Sequence, residues 1–123
     1  MIMEETLYDL EGNPIAYIAY DKHNTIYLWN GTPVAYLEPD STIYGFNGKH
    51  LGWFEQGVVR NLNGEWNGFN KAAANVFVKF EPFKSFKQFL PFKSFKEFKH
   101  FKPTFGSAKS KESLSQFLMK GKA

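Results

Sequence analysis

The chain has 123 residues, of which 43% are hydrophobic and 22% are charged, so it has the size and composition of one small globular domain. This length excludes a large multidomain enzyme, and no stretch approaches the roughly 18 apolar residues that a membrane span requires. The absence of cysteine excludes disulfide bonds, thiol catalysis and zinc sites of the Cys type. Residues 1–5 are acidic and lack the apolar segment of a secretory signal, so we expect a cytoplasmic protein.

The formal net charge of +3 is divided unevenly along the chain. Residues 1–76 carry four Lys or Arg and nine Asp or Glu, whereas residues 77–123 carry 11 Lys and three Glu. An acidic part of charge −5 is therefore joined to a basic part of charge +8. The two parts can attract each other as readily as they attract a partner.

Four segments of the first 70 residues repeat one pattern around a glycine. A bulky apolar residue precedes the glycine by two positions, and a small residue followed by an aromatic residue comes after it. The glycines are Gly12, Gly31, Gly48 and Gly64; the bulky column is Leu10, Trp29, Phe46 and Leu62; the small column is Ala16, Ala35, Gly52 and Gly68; the aromatic column is Tyr17, Tyr36, Trp53 and Phe69. Such repetition indicates one supersecondary unit used four times.

Each repeat is predicted to form a β-hairpin. Three of the units have Asn directly before the glycine, at Asn30, Asn47 and Asn63. Asn-Gly is typical of a type I′ turn, whose two central residues both need positive φ, so we expect this turn here and positive φ at all four glycines. About five residues rich in Ile, Val, Tyr, Trp and Phe flank each turn, which suits short strands.

The repeat columns also predict how the hairpins pack. An isolated hairpin is marginal in water, so the four hairpins need a common hydrophobic core. We expect the bulky and aromatic columns to form one shared centre, and the small column to mark close approaches between backbones. Four similar hairpins favour a closed, pseudo-four-fold arrangement, because closure removes exposed strand edges.

The pattern resembles the bacterial four-fold β-flower proteins, a family named for four short hairpins arranged like petals. The resemblance covers residues 6–70 and continues beyond them, because that family also tends to end in a period-three, Pro-containing stretch followed by a short Ser/Leu/Phe segment. It implies an all-β, flower- or propeller-like fold of four pseudo-symmetric hairpins, and it implies no activity. We assign residues 1–76 to this domain, called the head.

The next segment, residues 77–105, is called the tail, and Phe recurs in it at every third position from Phe77 to Phe101. Lys fills many intervening positions, and Pro occurs at 82, 91 and 103. Only a conformation with three residues per turn aligns all these Phe side chains, which favours an extended, polyproline-like ribbon. Two short helices that begin at Pro82 and Pro91 are the alternative, because Pro is tolerated in a first turn.

Residues 106–123 form the last predicted unit, a short amphipathic carboxyl-terminal segment. Within it, Ser113–Met119 is predicted to form a short helix, with Lys120 and Gly121 suited to its end.

The sequence contains no pattern typical of a catalytic site. The three His residues are scattered at positions 23, 50 and 100 without ligand spacing, and we expect them on the surface. No phosphate loop, dinucleotide fingerprint or serine-nucleophile motif occurs. We therefore expect no enzyme activity, no cofactor and no metal.

The tail is the candidate contact surface, through residues Phe83, Phe86, Phe89, Phe92, Phe95 and Phe98 together with Lys84, Lys87, Lys93 and Lys96. We expect the Phe side chains to pack inward and the Lys side chains to face solvent. The tail would then dock on its own head, on another copy or on a protein partner. The alternative is accessory binding of nucleic acid or an anionic membrane, because aromatics can stack on bases while Lys meets phosphates.

Overall fold

A computed structural model describes residues 3–123. It contains eight β-strands and one α-helix. The strands are β1 (Glu4–Asp9), β2 (Pro14–Ala19), β3 (Thr25–Leu28), β4 (Pro33–Leu37), β5 (Thr42–Gly45), β6 (His50–Glu55), β7 (Val58–Asn61) and β8 (Trp66–Phe69), and the helix is α1 (Leu114–Met119).

The eight strands form a closed barrel. Each strand pairs antiparallel with its neighbours along the chain, and β8 pairs with β1 through Tyr8 opposite Phe69 and Asp9 opposite Gly68. Each of the four repeats contributes one hairpin, so the prediction of a closed, all-β arrangement of four hairpins is confirmed.

The four hairpin turns share one geometry. Gly12, Gly31, Gly48 and Gly64 have φ between 79° and 91°, which confirms the prediction of positive φ. The predicted type I′ turn is wrong, because the preceding Asn residues do not have positive φ. Each glycine N–H donates to the carbonyl three residues earlier, and the strand register shifts beside each turn. This is a type I turn followed by a left-handed glycine and a bulge.

The main core cluster contains no residue of the bulky column or of the aromatic column, so the prediction that these columns form one shared centre is wrong. Side chains alternate along a strand, and Ile18 joins the main core cluster whereas Tyr17 belongs to a separate cluster with Tyr27. The main cluster combines strand residues Leu7, Ala16, Ile18, Ile26, Leu28, Val34, Ala35, Ile43, Leu51 and Val59 with three residues of α1. An eight-stranded barrel is only just wide enough for such side chains, which leaves the aromatic column on the other face.

The small column marks close backbone approaches, as predicted. A Cβ atom on Gly52 would overlap the carbonyl oxygen of Arg60 on the neighbouring strand, and one on Gly68 would collide with the carbonyl oxygen of Tyr8. Ala16 and Ala35 are completely buried in the main core. A larger side chain at these positions has no space.

Helix α1 completes the core, and its predicted position is confirmed. Ser113 caps it, because its hydroxyl accepts from the backbone N–H of Gln116 while the Gln116 side chain accepts from the backbone N–H of Ser113. The buried face of the helix consists of Leu114, Phe117 and Leu118, all of which lie in the main cluster. The terminal segment therefore belongs to the folded unit.

We predict that Phe117→Ala lowers the free energy of unfolding by about 3–5 kcal/mol, because it removes a fully buried ring and leaves a cavity. Met119→Ala is the matched control, since Met119 belongs to the same helix but is 44% exposed. Urea unfolding of both variants measures the difference. Equal, small losses would show that α1 does not contribute to the core.

Candidate functional site

The tail surrounds the barrel and bonds to successive hairpin turns. The backbone N–H of Lys79 donates to the carbonyl of Gly12 at 2.9 Å, that of Gln88 to Gly31 at 3.0 Å, and that of Glu97 to Gly48 at 2.9 Å. These donors are nine residues apart, which is also the length of the Pro-Phe-Lys-Ser-Phe-Lys repeat in the sequence. Each nine-residue unit of the tail thus corresponds to one hairpin.

The tail contains neither helix nor strand, so the alternative of two short helices is wrong. Its three-residue period produces three edges with different roles. The Phe edge consists of Phe77, Phe80, Phe83, Phe86, Phe89, Phe92, Phe95, Phe98 and Phe101. The Lys edge consists of the residue directly after each of these Phe residues, from Val78 to Lys102. The amide edge consists of the residue directly before each Phe from Phe80 onward, so it extends from Lys79 to His100.

The amide edge supplies the backbone donors that hold the tail on the head. The donors in this edge are Lys79, Ser85, Gln88, Ser94, Glu97 and His100. Pro82 and Pro91 occupy two further positions of the same edge, where the ribbon has no N–H to donate. A three-residue ribbon has no internal hydrogen bonds, so the head satisfies amides that would otherwise need water.

The Lys edge forms ion pairs with acidic residues of the head. These pairs are Lys84 and Lys87 with Glu4 at 3.2 and 2.6 Å, Lys96 and Lys99 with Glu38 at 2.5 and 3.4 Å, Lys99 with Asp40 at 2.5 Å, and Lys102 with Glu55. The acidic head and the basic tail of one molecule therefore bind each other.

Lysines of the same edge cover the aromatic side chains on the outer face of the barrel. Lys84 lies 5.0 Å from the ring centre of Tyr17, Lys93 lies 3.9 Å from that of Tyr36, and Lys96 lies 5.3 Å from that of Tyr44. Cation–π attraction and the aliphatic Lys stems explain why these tyrosines are buried although they lie outside the barrel core.

Ion pairing perturbs the carboxyl groups that hold the tail. The hydrogen bond from Lys99 lowers the pKa of Asp40 to about 2. Burial raises the pKa of Glu4, but the hydrogen bonds from Lys87 and Lys84 outweigh it and bring the pKa below its ordinary value. Both carboxylates remain ionised near neutral pH. Each exposed ion pair contributes only about 0–1 kcal/mol to stability, so no single pair keeps the tail on the head. Many contacts share that role.

The Phe edge is bare. Its nine side chains are between 89% and 103% exposed, so the expectation that Phe packs inward is wrong. The Lys side chains contact the head but stay partly exposed to solvent. The reason is the outer wall of the barrel, which offers tyrosine rings and carboxylates. A Lys side chain satisfies both groups, and a Phe side chain satisfies only the rings. All predicted contact residues lie in one ribbon, but its Phe members point into solvent whereas its Lys members contact the head and stay partly exposed.

His50 anchors the last third of the tail and is buried, so the expectation of a surface position is wrong for this residue. Its Nδ1 accepts from the backbone N–H of His100 at 2.9 Å, and its Nε2 lies 3.1 Å from the carbonyl oxygen of Gly52. A backbone N–H can only donate, so Nδ1 carries no proton and Nε2 donates to Gly52. Burial lowers the pKa of His50, which favours this neutral form.

We predict that stability falls on acidification through the pKa of His50. Its pKa is lower in the folded chain than the ordinary 6.5, so the unfolded chain binds the proton more readily. The contribution is fully present above about pH 6.5 and is lost as the pH falls towards the folded pKa. The melting temperature should therefore decrease between pH 7.5 and pH 5.5.

His50→Asn should remove most of this decrease, because Asn retains an acceptor but does not titrate. His23→Asn is the matched control, since His23 is exposed. Thermal melts of the three proteins at both pH values test the assignment. An undiminished decrease in His50→Asn would contradict it.

The turn glycines also determine how closely the tail can approach the hairpin turns of the head. A Cβ atom at Gly12, Gly31 or Gly48 would overlap the carbonyl oxygen of Phe77, Phe86 or Phe95, respectively. Positive φ and tail contact thus require glycine at the same positions.

We predict that Gly31→Ala lowers the free energy of unfolding by about 1–3 kcal/mol, the usual cost of a strained backbone position, and displaces the tail there. Gly106→Ala is the control, because a Cβ on Gly106 meets nothing within 4 Å. Urea unfolding and limited proteolysis measure the two effects. A Gly31→Ala protein as stable and as resistant as Gly106→Ala would disprove the close approach.

The arrangement can be compared with known proteins. The family model for the 4-fold beta flower protein matches residues 5–118. The chain belongs to this family. No curated protein and no solved structure matches it. The match to the beta flower family extends through the tail and most of α1, so all of these elements belong to the family pattern.

Residues 3–123 of this beta flower chain lack a metal-ligand cluster and a membrane-spanning helix, and their surface carries an open cleft and the Phe edge. Within residues 3–123, no group of three or more His, Cys, Asp or Glu side chains could hold a metal ion. No helix in that range has the length and apolarity that crossing a membrane requires. An open cleft of about 460 Å³ lies beside the tail between Lys22, Tyr36 and Lys93. The nine rings of the Phe edge make up most of the exposed large hydrophobic side chains of the described residues.

Proposed function

We propose that the chain is a non-catalytic assembly module of the cytoplasm that associates with further copies of itself through the Phe edge. The observation that carries this proposal is the exposure of nine Phe side chains, none below 89%, on a ribbon whose other two edges bond to the head. The head acts as a scaffold in this proposal, and the tail acts as the contact surface.

The exposed apolar area supports association. An aromatic side chain offers about 150 Å² or more, so nine offer well over 1,000 Å². Monomeric proteins seldom expose contiguous apolar patches of more than a few hundred Å², whereas a standard interface covers about 800 Å² on each partner. The Phe edge as a whole therefore exposes more apolar area than a monomeric protein usually does.

The order of the tail supports association as well. A flexible tail would lose conformational freedom when it binds, and that loss weakens affinity. Backbone hydrogen bonds to Gly12, Gly31 and Gly48 already fix this ribbon on the head. The Phe side chains are thus presented in a preorganised row.

Binding of nucleic acid or an anionic membrane is the alternative function. Such binding uses Lys to neutralise phosphates and release counterions. Lys84, Lys87 and Lys96 instead lie against carboxylates of the head, which supports assembly over this alternative.

We predict that Phe→Ser at positions 86, 89 and 92 weakens self-association and leaves the free energy of unfolding within about 0.5 kcal/mol of the original, as for exposed sites generally. The control is Lys→Gln at positions 84, 87, 93 and 96, which should preserve association because the backbone hydrogen bonds still hold the tail on the head. Sedimentation velocity across a concentration series measures association, and urea unfolding measures stability.

A titration with single-stranded DNA at two salt concentrations tests the alternative. Tight binding that falls steeply with salt and disappears in the Lys→Gln protein would replace the assembly proposal. Unchanged sedimentation of the Phe→Ser protein would also contradict it.

A further inference from the structure

We infer that the surface that covers the Phe edge is the Phe edge of another copy, with the two rows of rings interdigitated. This inference rests on the proposed assembly function and names the contact by which it occurs. It differs from the other way in which copies could associate, in which the Phe edge of one copy lies against the barrel of the next.

The spacing of the rings supports interdigitation. Three residues of a polyproline-like ribbon advance about 9.3 Å, so neighbouring Phe side chains leave a gap between them. A ring of a second ribbon placed midway lies about 4.7 Å from each neighbour, within the 4.5–7 Å at which aromatic rings pair. Because both ribbons have the same period, this match repeats at every ring along the contact.

The course of the tail divides the Phe edge into three triads. The triads are Phe77, Phe80 and Phe83; Phe86, Phe89 and Phe92; and Phe95, Phe98 and Phe101. The tail meets one hairpin turn per nine residues around a closed barrel, so successive triads face different directions. One flat partner cannot cover all three, but three neighbours can each cover one.

The area of one triad sets the strength of each contact. Three rings offer about 450–750 Å², so two interdigitated triads bury roughly 1,000 Å² or somewhat more. A contact of that size is at the weak end of specific interfaces. Three such contacts on one molecule produce a multivalent assembly that grows with concentration.

Charge does not oppose the contact between two tails. The Lys edge lies on the head side of the ribbon, and Glu4, Glu38 and Glu55 neutralise several of its lysines within the same chain. The Phe edge itself carries no charge. The small net charge of +3 adds only weak repulsion between copies.

The decisive variant retains only the middle triad. Phe→Ser at positions 77, 80, 83, 95, 98 and 101 leaves Phe86, Phe89 and Phe92 as the one contact. Sedimentation velocity over a hundredfold concentration range should show this variant stopping at a dimer, whereas the unchanged chain forms larger species. Species larger than a dimer in the single-triad variant would overturn the inference.

Cysteine cross-linking tests the contact directly, because the chain has no cysteine of its own. Phe89→Cys places a thiol at the centre of the middle triad, and Gln88→Cys places one on the amide edge of the same ribbon. Under mild oxidation, disulfide-linked dimers should form at least tenfold faster in Phe89→Cys than in Gln88→Cys. Equal rates would contradict edge-to-edge contact.

The two proposals fail in different ways. If Phe→Ser at positions 86, 89 and 92 weakens association but the single-triad variant exceeds a dimer and Phe89→Cys does not cross-link preferentially, assembly stands and the interdigitated contact is wrong. If the unchanged chain remains monomeric throughout the concentration series, or if Phe→Ser has no effect, the assembly function is wrong and the interdigitated contact is wrong with it.

Discussion

The limited space inside the barrel decides where every other group lies. Aliphatic side chains and one face of α1 fill that space, so the aromatic residues of the repeats lie on the outer wall. Tyr17 and Tyr36 then need a cover that suits both a ring and a nearby carboxylate. The Lys edge provides it, and with two edges of the ribbon committed to the head, the Phe edge has no surface left to contact within the chain.

One repeat of the tail spans the distance between two neighbouring hairpins, and this correspondence makes the arrangement possible. A hairpin takes 16 to 19 residues, because it needs two strands and a turn, whereas the tail needs nine residues to pass from one hairpin to the next. Left-handed glycines at the turns let the tail carbonyls approach without a Cβ between them. The amide edge can therefore reach the turn carbonyls at regular intervals, and the tail is ordered although it has no internal hydrogen bonds.

The four hairpins, the turn glycines, the small column and α1 could be predicted, because each rests on local rules of spacing and backbone freedom. The separation of aliphatic from aromatic columns could not, since both are apolar and only the width of the closed barrel distinguishes the two faces. His50 appeared isolated because its partner, the His100 amide, is 50 residues away. The orientation of the tail could not be predicted from its period, because a period of three shows that Phe and Lys lie on different edges but not which edge meets the head. The excess of acidic residues in the head was the observation that favoured contact with the Lys edge.

The nine Phe residues of the Phe edge contribute little to the fold that presents them. A side chain that is about as exposed as in an unfolded chain gains no free energy from burial on folding. It also adds apolar surface that disfavours the free monomer in water. The register of the nine rings is nevertheless maintained by backbone hydrogen bonds from six residues of the amide edge. A row held so regularly, and without benefit to the single chain, supports the proposal that the rings make contacts between molecules.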